Sequence, residues 1–189
     1  MLNSPYCWKS FNSVGSEYGT LSDLRALVDS AHSLGLSVIM DWVANQTSWD
    51  NPWITAHKDW FQQDSNGNIV QLSTYSDVAA LNFSNSTMCD TMTQCMRNWV
   101  FTANIDGFRC DFADNAPDAF WKQAISSLRT ITTHKLLLLA EGSRATNYND
   151  GFDFNFGFNF YFNVLKPIFQ NNSSVSLIDN ANSVEYTGA

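Results

Sequence analysis

Apolar positions along this chain fall into alternating helical and extended blocks. Leu21, Leu24, Leu27, Val28, Ala31 and Leu34 recur at helical spacing behind Thr20-Leu-Ser-Asp23, a capping box, and Gly35 stops the pattern. A short run, Ser37–Val43, is apolar on both faces, as a fully covered parallel strand is. The order then repeats. A helix over Ser86–Ala103 presents Met88, Met92, Cys95, Met96, Trp99 and Val100, and a strand over Asp106–Phe112 follows it. A helix opening near Pro117-Asp118 presents Phe120, Ala124, Ile125, Leu128 and Ile131, and a strand over Lys135–Glu141 follows that. Alternating strands and helices predict an α/β protein with a parallel sheet.

Two stretches depart from this rhythm. Residues 44–85 are rich in Asn, Asp, Ser and Gln, with Trp49, Trp53, Trp60, Phe61 and Tyr75 among them and a turn at Asp64–Asn68. A segment of that length between a strand and its helix predicts an inserted subdomain. Gly151 to Phe162 alternates aromatic with small polar residues, the period of a half-buried strand, and one further helix is expected from Asn163 onward. Residues 1–19 read as irregular. The expected organisation is thus 1–43 with 86–189 as one α/β domain, and 44–85 as the insertion.

Composition narrows the function classes. The 189 residues are 44% hydrophobic and carry only 15% charged residues, with a formal net charge of −8. No Lys/Arg run exists to neutralise phosphates, which argues against nucleic acid. No stretch is apolar enough for a membrane span, and Met1-Leu-Asn-Ser-Pro-Tyr6 lacks the basic and apolar regions of a signal peptide. Cys7, Cys89, Cys95 and Cys110 have no C-x-x-C spacing, so zinc is not expected, while disulfides remain open.

The candidate chemistry lies at the strand ends. Ser37-Val-Ile-Met-Asp41, Gly107-Phe-Arg-Cys-Asp111 and Leu136-Leu-Leu-Leu-Ala-Glu141 each finish on a carboxylate. Acids repeated at one end of a parallel sheet suit glycoside hydrolysis, which needs two carboxyl groups in different roles. Strand alternation puts Arg109 and Asp111 on one side, with Phe108 and Cys110 facing the helices. Arg109 is expected to hold Asp111 ionised, fit for a nucleophile. Glu141, between Ala140 and Gly142, is expected in apolar surroundings that keep it protonated as a general acid.

These residues resemble a known family. Ile105-Asp-Gly-Phe-Arg-Cys-Asp111 with Pro117 is similar to the second signature region of the α-amylase family of glycoside hydrolases. Asp41-Trp-Val-Ala-Asn45 resembles the first region and Leu139-Ala-Glu141-Gly142 the third, and Gly19-Thr20 and Asp77-Val-Ala-Ala-Leu-Asn82 also fit. The resemblance implies a (β/α)8 TIM barrel with a small subdomain inserted after its third strand. It implies a retaining double displacement on α-glucosidic bonds of starch-like glucans or maltooligosaccharides. In that reading Asp111 attacks the anomeric carbon, Glu141 is the acid and base, and Arg109 holds Asp111. Tyr6 stacks on the sugar, Gln46 and Asp41 serve the substrate site, and Asn45 binds a structural calcium. No cofactor is needed for the chemistry itself.

Four departures from the family pattern bear on activity. Asn45-Gln46 stands where the family has Asn-His, and Asp114-Asn115 where many starch-cleaving members have Lys-His. The fourth signature region, ending His-Asp, has no counterpart after Glu141. A closed barrel takes about 250 residues, so an incomplete barrel is expected, truncated at both ends, with weak or no activity in isolation. The alternative reading is a non-catalytic amylase-like scaffold that binds sugar or a partner protein.

Overall fold

A computed structural model describes residues 6–179 and 181 of the chain. Helix α1 (Leu21–Ser33) opens on the capping box, with Thr20 Oγ1 accepting from the Asp23 amide and the Asp23 carboxylate accepting from the Thr20 amide at 2.8 Å. Strand β1 (Ile39–Val43) follows. The segment after it holds β2 (Gln46–Ser48), a one-turn helix α2 (Trp53–Ala56), β3 (Gln71–Leu72) and β4 (Tyr75–Ala80). Helix α3 (Ser86–Ala103) is capped by Asn85, whose side chain accepts from the Met88 amide, and ends on Asn104 in the left-handed conformation. Strand β5 (Gly107–Asp111), helix α4 (Asp118–Arg129) and strand β6 (Leu137–Ala140) complete two further repeats. Helix α5 (Thr146–Asp150), strand β7 (Phe154–Asn155), helix α6 (Phe158–Phe160), a π-helical stretch over Tyr161–Leu165 and helix α7 (Lys166–Asn171) follow.

The main sheet is parallel in the order β1-β5-β6-β7. Its register sets Asp41 beside Arg109 and Val43 beside Asp111. Ala140 pairs with Cys110, so Glu141 emerges level with Asp111, and the Glu141 amide donates to the Cys110 carbonyl at 3.0 Å. Contact between β5 and β6 depends on Gly107. It adopts φ +149°, and a Cβ there would collide with the Leu137 carbonyl.

The core lies between this sheet and helices α3 and α4. Trp42, Phe108, Cys110, Leu138 and Ala140 pack with Met92, Met96, Trp121 and Leu128, all essentially inaccessible. The Trp42 ring stands 5.0 Å from Trp8 and 5.5 Å from Phe108, both edge-on. Burying side chains of this size contributes about 1.5–3 kcal/mol each. All four cysteines are buried, and among the described residues none forms a disulfide.

Residues 46–80 carry a second, antiparallel sheet in the order β2-β4-β3, with Gln46 opposite Ala80 and Ser48 opposite Val78. Trp60 and Phe61 are buried, as are Val78–Ala80 of β4 and Leu81 after it, and the Trp60 ring stacks on His57 at 3.9 Å. Its attachment at β2 and β4 brings Gln46, Tyr75 and Asp77 to the carboxyl ends of β5 and β6.

Two expectations from the apolar pattern need correction. The stripe on α1 is not a buried face: only Val28 is inaccessible, whereas Leu27 and Leu34 are 58% and 76% exposed. Helical period reports that a stripe exists, not what covers it. The aromatic alternation over Gly151 to Phe162 yields a strand at Phe154–Asn155 alone, pairing with Leu139 and Ala140. Beyond Gly157 the chain is helical, and Phe158 and Phe162 lie one helical turn apart with centroids at 6.2 Å. Part of the tail expected to form the last helix, residue 180 and residues 182–189, lies outside the described residues.

Candidate active site

Arg109 is the hub of the site. Its Nη1 donates to both Asp41 oxygens at 2.6 and 2.8 Å and to Asp111 Oδ1 at 2.9 Å. Its Nη2 stands 2.8 Å from Glu141 Oε2. A planar guanidinium holds directions that an ammonium would not, so one side chain from β5 orients carboxylates from three neighbouring strand ends. The Phe156 ring lies 5.6 Å beneath the same group. Burial works against the Arg109 charge, but Asp41, Asp111 and Glu141 outweigh it and raise its pKa.

The pKa of Asp111 is not lowered by Arg109, as expected from its neighbour, but raised. Its side chain is only 15% exposed, and its pKa is pushed up to about 6. Burial is the largest cause, and a hydrogen bond to the Glu141 carboxyl adds to it, while Arg109 pulls the other way and loses. Nor is Glu141 in apolar surroundings. Its Oε2 accepts from the Phe112 amide at 3.0 Å as well as from Arg109.

Sequence reasoning passed over Phe112. It is left-handed (φ 47°, ψ 47°), a conformation disfavoured for an aromatic residue, and this turn aims its amide at Glu141. Its ring is 48% exposed and lines the cleft. The only sequence signal was its place immediately after Asp111.

The cleft itself has a volume of about 540 Å³. Asp111, Glu141 and Arg109 form its floor, and Tyr6, Gln46, Tyr75, Phe112 and Phe158 are among its walls. Tyr6 is 48% exposed there. Gln46 is nearly buried: its amide nitrogen donates to the Tyr6 carbonyl at 3.3 Å, and its Oε1 has no hydrogen-bond partner. Asp41 accepts from the same Arg109 Nη1 that holds Asp111 and is not among the lining residues.

Asn45 faces the strand end. Its amide nitrogen donates to the carbonyls of Asp111 and Phe112 at 3.1 and 3.2 Å, tying β1 to the turn after β5. Its Oδ1 is buried without a partner, one oxygen of the kind calcium takes. Among the described residues no group of three or more His, Cys, Asp and Glu could complete a metal site.

Residues 3–69 match the α-amylase catalytic domain. The α-1,4-glucan:maltose-1-phosphate maltosyltransferase of Corynebacterium pseudotuberculosis is 33% identical over 136 residues, 69% of this chain and 20% of that protein. The maltogenic α-amylase AmyB of Thermotoga neapolitana superposes with a TM-score of 0.87 at 30% identity, covering 98% of this chain and 43% of that one. An α-amylase from Lactobacillus plantarum gives 0.88 at 29%, covering 99% and 48%. The chain thus spans about a fifth of that curated relative and under half of these solved chains. Its four parallel strands form part of a TIM barrel. The ordered motifs, the partial barrel and these likenesses agree: the chain belongs to the α-amylase family.

Proposed function

We propose that this chain carries the acid pair of an enzyme that cleaves α-glucosidic bonds in starch-like glucans or maltooligosaccharides with retention of configuration. The observation that supports it above the others is that Arg109 holds the Asp111 and Glu141 carboxyls, at 2.9 and 2.8 Å, at the floor of an open cleft. The reaction needs two carboxyl groups in different roles, one ionised to attack the anomeric carbon and one to protonate the leaving oxygen.

In the first step Asp111 acts ionised and Glu141 acts as the proton donor. An Asp111 oxygen then bonds to the anomeric carbon as the glycosidic C–O bond breaks, and the leaving oxygen takes the Glu141 proton. Glu141, now ionised and steadied by the Phe112 amide, takes a proton from water. That water bonds to the anomeric carbon, and the Asp111 ester breaks. Arg109 keeps Asp111 directed at the carbon throughout. A different acceptor in place of water gives glycosyl transfer by the same residues, in line with a relative named as a maltosyltransferase.

The alternative, a binding scaffold, has less support. Keeping a buried carboxyl against a second one opposes folding, and a surface that only binds sugar has no use for it. The test requires a protein carrying this chain together with the remaining barrel strands. It is expected to release reducing sugar from a maltooligosaccharide with the anomeric configuration of the first product retained. Asp111→Asn is expected to lower that release by several orders of magnitude. Turnover by the substituted protein at the wild-type rate removes Asp111 as nucleophile, and glucan binding without turnover by the wild type favours the scaffold.

A further inference from the structure

Asp114 lies on the 3₁₀ turn Ala113–Asn115, directly after the strand that delivers Asp111. Its carboxylate reaches across to the loop that follows Glu141. Oδ2 accepts from the Ser143 amide at 2.8 Å, and Oδ1 accepts from the Asn147 side chain at 2.9 Å and stands 3.3 Å from Arg144 Nε. Gly142 runs so close beneath that a Cβ there would collide with the Asp114 carboxylate. Glu141 is therefore held on both sides. Its amide and carbonyl bond to Cys110 and Ala113, and the residues after it are anchored on Asp114. Asn147 also donates to Asn155 Oδ1 at 2.9 Å, which carries the network to β7. Burial raises the Asp114 pKa, but the Ser143 amide, Asn147 and Arg144 more than offset it and keep the group charged.

We propose that Asp114 is a positioning residue for the acid pair: by anchoring the Ser143–Arg144 backbone it fixes where Glu141 stands relative to Asp111. The inference deepens the hydrolase reading and rests on it for its catalytic meaning. It does not rest on that reading for its geometry.

The experiment follows the Asp111 carboxyl carbon by NMR through a pH titration of this chain, beside Asp114→Ala, Asp114→Asn and Glu141→Gln. Glu141→Gln removes the carboxyl contact outright, and the Asp111 midpoint is expected to fall by roughly one pH unit. Asp114→Ala is expected to produce most of that fall. Asp114→Asn keeps an acceptor for the Ser143 amide and is expected to produce clearly less. Both Asp114 variants remove the same negative charge, so the difference between them reports position rather than field. Equal midpoints in the two variants, or no movement in Asp114→Ala while Glu141→Gln moves, overturn the proposal. So does an unmoved midpoint in Glu141→Gln, since the contact being positioned is then absent. If Asp114→Ala does not fold, the Asn variant decides by itself: an Asp111 midpoint displaced as far as in Glu141→Gln refutes the retained anchor. Absence of sugar release from the barrel-complete protein sinks the hydrolase reading and leaves these titrations standing.

Discussion

Replacing Asp111 by Asn should make the protein more stable at neutral pH, although it removes one member of an ion pair with Arg109. The reasoning is one of linkage. A carboxyl whose pKa lies at about 6 in the folded chain, against an ordinary value of 3.8, binds its proton more tightly when folded. Well below pH 3.8 both states are protonated and the substitution changes little. As pH rises through 4 to beyond 6 the wild type must charge a group that burial and Glu141 disfavour, and it loses stability that Asn retains. At about 1.36 kcal/mol for each tenfold, the full effect is about 3 kcal/mol. The side chain keeps 15% of its surface in solvent, so about 2–3 kcal/mol is expected in practice. For a chain of this size that is a rise in melting temperature of about 4–10 °C. The assay is urea unfolding of both proteins at pH 4 and pH 8, compared as a difference so that the other carboxylates cancel. A difference that is flat across the range, or a substituted protein less stable at pH 8, refutes the raised pKa of Asp111 in the folded chain.

Other substitutions probe the surrounding arrangement. Arg109→Met leaves Asp41, Asp111 and Glu141 facing one another without a cation, and about 3–5 kcal/mol of destabilisation is expected at pH 8, shrinking at pH 4 as the carboxyls protonate; chemical denaturation at the two pH values reads it. Gly107→Ala drives a methyl into the Leu137 carbonyl and is expected to cost more than about 3 kcal/mol, seen as loss of cooperative thermal unfolding. In a barrel-complete protein, Glu141→Gln should cost far less on an aryl glycoside with an acidic leaving group than on a maltooligosaccharide, because the first needs no proton. Comparable losses in kcat/KM on the two substrates would show that Glu141 is not the acid.

What could be read from the sequence divides along physical lines. The repeat of strand and helix was legible because a doubly covered strand is a short apolar block and its partner helix has a 3.6 period, as at Gly107–Asp111 and Asp118–Arg129. Strand alternation also placed Arg109 and Asp111 on the opposite side from Phe108 and Cys110. The charge states around the acids were not legible. They depend on burial and on donors supplied by other strands, and the Phe112 amide reaches Glu141 only because of a left-handed turn that no residue type announces. Period-two aromatics failed for a related reason. From Phe158 on, ring contacts one helical turn apart compete with strand pairing, and pairing with β6 stops at Asn155.

The four sealed thiols give the chain a built-in clock for its own opening. Cys110 points away from the acids on the same strand, is about 1% accessible, and burial holds its pKa well above the ordinary thiol value. It can react with an alkylating reagent only when β5 leaves the sheet, whereas Cys89 and Cys95 report release of α3. Comparing their labelling rates with and without a bound oligosaccharide would show how often the floor of the cleft comes apart, and whether occupancy keeps it shut.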